Sequence, residues 1–312
     1  MGIEIRSLRS AELGNAAHVV IERDSAVAVV IDPVRDVCQY LEVAAGDSVE
    51  LAWALETHVH NDFVSGSREL VAASGTRLGA SGEADLRYPY ERLGDGDEIE
   101  IGPYRLRVLA TPGHTPEHLA YLLIDPEGES QALFSGGALM VGTAARTDLF
   151  GPALSWRFAR DLERSLKDKI LELPDHVVVY PTHGGGSFCA AGAGSALTTT
   201  IGAERAANPL ATARSSRVRD SGAHRRSLSR LLRPDAQPQS GRRTSPRTES
   251  PCSAGAQARR GRHLARPGRA RGRRAPGGSI PGRAHPWEPR RGSRRQRRLP
   301  PRTRPHEVRP RP

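Results

Sequence analysis

The residues of this chain with the clearest capacity for chemistry are four histidines that follow short apolar runs. His58 and His60 sit two apart after the run 49–55, so in an extended segment their side chains share a face and can grip one ion. Asp62 continues the same phase. His114 lies in Thr111-Pro112-Gly113-His114-Thr115 after an apolar run ending at Leu109, and His183 lies in Pro181-Thr182-His183-Gly184 after 177–180. Three or four imidazoles gathered from strand ends would form a metal site with open positions for water or substrate. His18, His118 and His176 lack this setting and read as residues hydrogen-bonded within the fold.

Such a site needs strands that end together. The runs 3–5, 18–21 and 27–31 are separated by turn signals and read as meandering antiparallel strands, the third ending in Asp32-Pro33. A helix over 34–44 and a strand over 49–55 follow. Beyond the paired histidines come a short helix over 67–73, strands over 77–79, 99–101, 104–109, 119–124 and 131–134, an amphipathic helix over 159–171, and a last strand over 177–180. Strands that first meander and then alternate with helices predict a layered α/β sandwich with the site at one edge.

Composition divides the chain. Residues 211–312 hold 29 of the 46 basic residues, 5 of the 35 acidic ones, no Lys and a single aromatic, Trp287, so the remainder is acidic although the whole carries +11. The expected organisation is a metal-binding domain over 1–205 and a basic Arg/Pro/Gly-rich tail over 206–312, disordered because it cannot bury enough apolar surface. Translation of a GC-rich gene in a shifted frame accounts for that composition better than a selected nucleic-acid arm, which would mix Lys with Arg. A nucleic-acid partner is therefore expected only if the tail is genuine. Three scattered cysteines without a CxxC pair argue against a disulfide framework or zinc knuckle, and no long apolar run suggests a membrane span or leader; the expectation is a cytoplasmic protein.

Thr57-His58-Val59-His60-Asn61-Asp62 resembles the HxHxDH motif of the metallo-β-lactamase superfamily, and Thr111-Pro112-Gly113-His114-Thr115 resembles its second histidine motif. Phe134-Ser135-Gly136-Gly137, followed by Arg146-Thr147-Asp148, is similar to a segment of the persulfide dioxygenase and glyoxalase II (hydroxyacylglutathione hydrolase) branch, including bacterial members linked to rhodanese-like domains. The resemblance covers residues 3 to about 205. It implies an αββα sandwich, metal ligands at His58, His60, His114 and His183, and a substrate wall at Arg146, Thr147 and Asp148. Two departures stand out: Phe63 replaces the motif's final histidine and Gly137 replaces the metal-binding aspartate.

Both losses count against a two-metal centre. The reading that follows is one divalent ion, Fe(II) in preference to Zn(II), with His60 turned inward to join His58 and His114, and with Asp62 as the catalytic proton acceptor beside it. The resemblance implies a glutathione-type thiol or persulfide substrate, oxidised by a mononuclear iron enzyme that releases sulfite. The alternatives are a zinc thioester hydrolase and a catalytically weakened member. A homodimer is the assembly considered.

Overall fold

The computed structural model describes residues 2–190 and 196–212. They form an αββα sandwich of two six-stranded sheets. The first sheet has the order β1 (Ile3–Ser10), β2 (Asn15–Glu22), β3 (Val27–Ile31), β4 (Glu50–Leu55), β5 (Arg77–Ser81) and β6 (Glu91–Leu93). In the second, β7 (Glu98–Ile101), β8 (Tyr104–Ala110), β9 (Leu119–Ile124), β10 (Ser130–Gly136), β11 (Val178–Pro181) and β12 (Thr199–Thr200) lie side by side. Helices α1 (Cys38–Asp47) and α2 (Ser67–Ser74) belong with the first sheet. Helices α3 (Pro152–Asp168), α4 (Ile201–Ala207) and α5 (Pro209–Thr212) belong with the second.

Side-chain alternation explains the layers. Along β3, Val29 and Ile31 enter the core between the sheets, whereas Ala28 and Val30 pack with Tyr40 and Leu70 on the helix side. Along β9, Leu119, Tyr121 and Leu123 face the inter-sheet core while Ala120, Leu122 and Ile124 meet Leu162 and Leu166 of α3. Central strands buried on both faces read as continuous apolar runs, which is why 27–31 and 119–124 stand out in the sequence.

The helices begin where backbone constraints place them. The sequence periodicity points to 159–171, but α3 starts at Pro152, directly after Gly151 in a positive-φ conformation, and a separate 3₁₀ turn covers Ile170–Glu172. Proline at the first helical position removes an N–H that would have no partner, so the start is set by chemistry outside the apolar stripe. Helix α1 likewise begins at Cys38, later than the expected 34. The described elements run on to Thr212, past the expected boundary at 205, and Leu210 is buried in the α3 core. Nearly all of the expected tail lies outside the described residues. Among the described residues no helix is long and apolar enough to cross a membrane.

Helix α3 also fixes the loop that carries His114. Gly113 has φ +146°, and a Cβ there would lie 2.3 Å from Leu162 Cβ, so only glycine lets the turn rest on the helix. Ser165 Oγ donates to Pro112 O at 2.8 Å from the next turn. Leu162→Ala should lower the unfolding free energy by about 2–5 kcal/mol in urea titration, because the vacated volume sits under both α3 and this loop.

Candidate metal centre

The ends of β4, β8 and β11 meet at one edge, and there the rings of His58, His114 and His183 converge. Their ligand nitrogens all lie within 4.8 Å of one another, and His58 Nε2 is 3.2 Å from His183 Nε2. All three rings are buried.

The hydrogen-bond network assigns each proton. Thr57 Oγ1 donates to Asp32 Oδ2 at 2.6 Å, so its lone pair is left to accept from His58 Nδ1 at 2.8 Å. Asn15 Nδ2 donates to Asp62 Oδ2 at 2.9 Å, which orients the amide so that Asn15 Oδ1 accepts from His183 Nδ1 at 3.1 Å. His114 Nδ1 donates to the Arg146 carbonyl at 2.7 Å, and His114 Nε2 has no hydrogen-bond partner among the described residues. Every Nδ1 therefore carries the proton and every Nε2 presents a lone pair to the same point.

Bare lone pairs in close apposition repel. A cation between them removes the repulsion, and nitrogens each about 2.0–2.1 Å from a shared ion stand roughly 3–3.4 Å apart, which suits the His58–His183 separation. Burial, reinforced by the neighbouring imidazoles, pushes the pKa values of His58 and His114 well below the usual histidine range and so keeps both rings neutral. Buried imidazoles whose Nε2 atoms converge, that of His114 without any hydrogen-bond partner among the described residues, fit a divalent metal ion.

The expected residues take different places. His60 lies outside the His58–His114–His183 cluster but gathers with Asp32 and His58, their ligand atoms within 4.8 Å of one another: its Nε2 lies 3.1 Å from Asp32 Oδ1 and 3.6 Å from Glu56 Oε2, and its ring stacks on Phe63 at 4.2 Å. Burial disfavours its protonation, but the charge of Asp32 and that of Glu56 outweigh burial and raise its pKa. His183, also expected as a ligand, is the imidazole that gathers with both His58 and His114. Asp62 stands behind it, with Oδ2 3.4 Å from His183 Nδ1. Burial disfavours the ionised form of Asp62, yet the His183 and Asn15 contacts prevail and hold its carboxyl below the ordinary range.

Arg146, Thr147 and Asp148 form the back of the site. The Arg146 carbonyl orients His114, its side chain pairs with Asp148 at 2.6 Å and covers the Phe188 ring, and Thr147 is buried. Gly137 abuts His114, where a Cβ would come within 2.7 Å of the ring and 2.9 Å of Ala145 Cβ. His118, His18 and His176 are bonded within the fold, as the sequence suggests; His118 lies between Thr111 Oγ1 and the Gly137 N–H.

Three contributors escape a motif reading. Asp32, fully buried with φ +51°, accepts from Thr57 N at 2.7 Å and from the hydroxyls of Thr57 and Thr182. Asn15 and Glu56 are the others. The repeated Thr-His pair, Thr57-His58 and Thr182-His183, was the available signal for Asp32, since both hydroxyls converge on its carboxylate.

No family model matches the chain. Human mitochondrial persulfide dioxygenase ETHE1 is 32% identical over 207 residues, covering 62% of this chain and 70% of the human protein. A mouse hydroxyacylglutathione hydrolase-like protein is 30% identical over 173 residues, covering 54% of this chain and 57% of its own length. Among solved structures, a metallo-β-lactamase from Staphylococcus aureus superposes with a TM-score of 0.67 at 30% identity, covering 76% of this chain and 69% of that one. The ETHE1 structure from Myxococcus xanthus gives 0.59 at 28%, covering 73% and 89% respectively.

Two outcomes follow from the buried network. Asp32→Ala should cost about 3–5 kcal/mol in urea unfolding, because it leaves two hydroxyls, a backbone N–H and His60 facing a void. Burial lowers His18 to about 4 and His118 to about 3, and moves His58 and His114 in the same direction. The unfolded chain then binds more protons than the folded one over this range. Stability of the metal-free protein should fall progressively from about pH 6.5 towards pH 3, with His60 and Glu56, whose pKa values are raised in the fold, opposing; thermal unfolding midpoints across that range check it.

Proposed function

Since the chain belongs to the persulfide dioxygenase and glyoxalase II branch of the metallo-β-lactamase superfamily, we propose that it is a single-metal enzyme that oxidises the persulfide of a low-molecular-weight thiol of the glutathione type, with Fe(II) held by His58, His114 and His183. The overall change takes RSSH, O₂ and water to RSH, sulfite and two protons: the S–S bond breaks, and the sulfane sulfur gives four electrons to dioxygen. A bound ferrous ion would supply the electron transfer that spin-paired sulfur and triplet dioxygen cannot carry out directly.

The observation that carries this reading is the set of three Nε2 lone pairs, each fixed by a hydrogen bond on the opposite side of its ring. Asp62 and Asn15 hold His183 in register, Asp32 holds His58 through Thr57, and the Arg146 carbonyl holds His114. These partners set ring orientation and basicity, and their loss from metal sites typically costs about 10–100-fold in affinity. Phe63, stacked on His60, presents an apolar face where the superfamily motif carries a further imidazole.

A zinc thioester hydrolase remains the second reading because His60, Asp62 and His183 also gather ligand atoms within 4.8 Å, and Asp62 Oδ1 is buried without a hydrogen-bond partner. His183 would have to serve both ions, which weakens that arrangement.

Metal content of the purified chain separates the two. The expected result is near one iron per chain, lost in His183→Ala and His114→Ala but retained in His60→Ala, with sulfite released from glutathione persulfide in step with oxygen uptake. Two ions per chain, or full retention in His183→Ala, would overturn the proposal.

A further inference from the structure

Beside His58 and His60 lies a cavity of about 260 Å³. Small-molecule sites commonly run from roughly 300 to 1,000 Å³, so this one holds part of a ligand. Phe63, Val64, Leu86 and Tyr88 give it an apolar wall, and His58 is the one candidate metal ligand that borders it. Its polar floor is incompletely bonded. Glu56 Oε1 accepts from the hydroxyls of Ser65 and Ser67, whereas Glu56 Oε2 and His60 Nδ1 are buried without a hydrogen-bond partner among the described residues. Glu56 Oε2 stands 3.6 Å from His60 Nε2, outside hydrogen-bond reach. Buried polar atoms without partners are rare in folded proteins and mark a place where a further polar group belongs.

The rim carries a cation. Arg68, exposed on α2, lies over the Tyr88 ring with its guanidinium 5.0 Å from the centroid, and Tyr88 is also part of the cavity wall. Among the described residues Arg68 has no acidic partner, and the adjacent Glu69 pairs with Arg35 at 3.4 Å. A guanidinium stacked on an aromatic face keeps its N–H edge free to grip a carboxylate with two parallel hydrogen bonds. Glu117, the other acid of the lining, is engaged by Val59 N at 2.9 Å.

We propose that this cavity holds the carboxyl-terminal end of a peptide thiol, with Arg68 as the residue that recognises its carboxylate. The inference rests on the glutathione-type persulfide reading for the class of substrate, and on the cavity and its rim for the placement. The last amide of the peptide would lie over the floor, where Glu56 can meet it in either protonation state: ionised, Oε2 accepts from the N–H, and protonated, it donates to the C=O. The methylene that follows would rest on Tyr88 and deliver the carboxylate to Arg68. The sulfur end would run past His58 towards the imidazoles.

Binding to the full metal-free chain tests the placement without turnover. Calorimetric titration with S-methylglutathione should show saturable binding that weakens about tenfold in Arg68→Met, which keeps an apolar arm on Tyr88 and removes the charge, and recovers in part in Arg68→Lys. Ala84→Leu, which narrows the cavity, should weaken it by about tenfold as well. S-methylglutathione amidated at its glycine carboxylate should bind about tenfold less tightly to the unaltered chain and with that same affinity to Arg68→Met. No binding to the unaltered chain, unchanged affinity in Arg68→Met or in Ala84→Leu, or an equal Arg68→Met effect on the amidated ligand would each overturn the proposal. In the iron-loaded chain, Arg68→Met should lower kcat/KM for glutathione persulfide by about tenfold through KM, with the iron retained; an unchanged kcat/KM would also overturn it. A chain that holds one iron and oxidises no persulfide would sink the dioxygenase reading, and the titrations would still decide the site.

Discussion

One buried carboxylate holds the two sheets in the register that makes a site. Asp32 ends β3, and its oxygens receive the Thr57 backbone and hydroxyl from the end of β4 and the Thr182 hydroxyl from the end of β11 in the other sheet. An unpaired charge there would be expensive to bury, and its backbone at φ +51° adds a conformational cost of about 1–3 kcal/mol. Charge-assisted hydrogen bonds from three donors offset that cost, and the His60 contact adds a fourth favourable partner. Burial works against ionisation, yet His60 and these donors hold the Asp32 pKa at about 2, so the group is anionic wherever the protein functions. With Thr57 and Thr182 pinned to one carboxylate, the histidines that follow them are brought within 3.2 Å.

This anchoring also explains the division of labour between the two histidines of the His-x-His pair. His58 follows a threonine whose hydroxyl already gives its proton to Asp32, so its ring donates backwards and faces forwards with a lone pair. His60 lies against Asp32 and Glu56, whose charges raise its pKa. The same carboxylate thus orients one imidazole through Thr57 and meets its neighbour directly. The candidate ligand set is accordingly all imidazole, with the carboxylates of Asp32 and Asp62 standing behind it. A divalent ion would keep most of its charge towards the open side, where a thiolate-like sulfur would bind.

Much of this was legible in the sequence, and the reason lies in strand ends. Apolar runs such as 27–31 and 119–124 are unambiguous because both faces are buried, and a histidine immediately beyond such a run has few places to go. The grouping of His183 rather than His60 with both His58 and His114 was not legible. It depends on the path of β11 against β10 and on Asp32, whose role is tertiary: it joins residues 25 and 150 positions away. The start of α3 was missed for a local reason, since the apolar stripe begins later than the Gly151-Pro152 signal that sets the first turn. Arg146 was noticed for its side chain, whereas its carbonyl orients His114, and a backbone contribution leaves no mark on residue type.

The loop that supplies this carbonyl depends on the last described helices. Glu204 of α4 receives the Gly142 N–H on both carboxylate oxygens at 3.0 Å, and Asn208 Nδ2 donates to the Thr143 carbonyl at 3.2 Å and to Glu204 at 2.7 Å. These bonds clamp residues 142 and 143 from behind, while Ala145 N donates to Gly137 O and Arg146 N to Cys189 O from the other side. A loop held at both edges keeps the Arg146 carbonyl 2.7 Å from His114 Nδ1, which is what leaves the opposite nitrogen bare. The segment from Ile201 to Thr212 therefore belongs to the machinery of the centre although none of its side chains reaches the three imidazoles, and the functional unit of the fold extends to α5 for that physical reason.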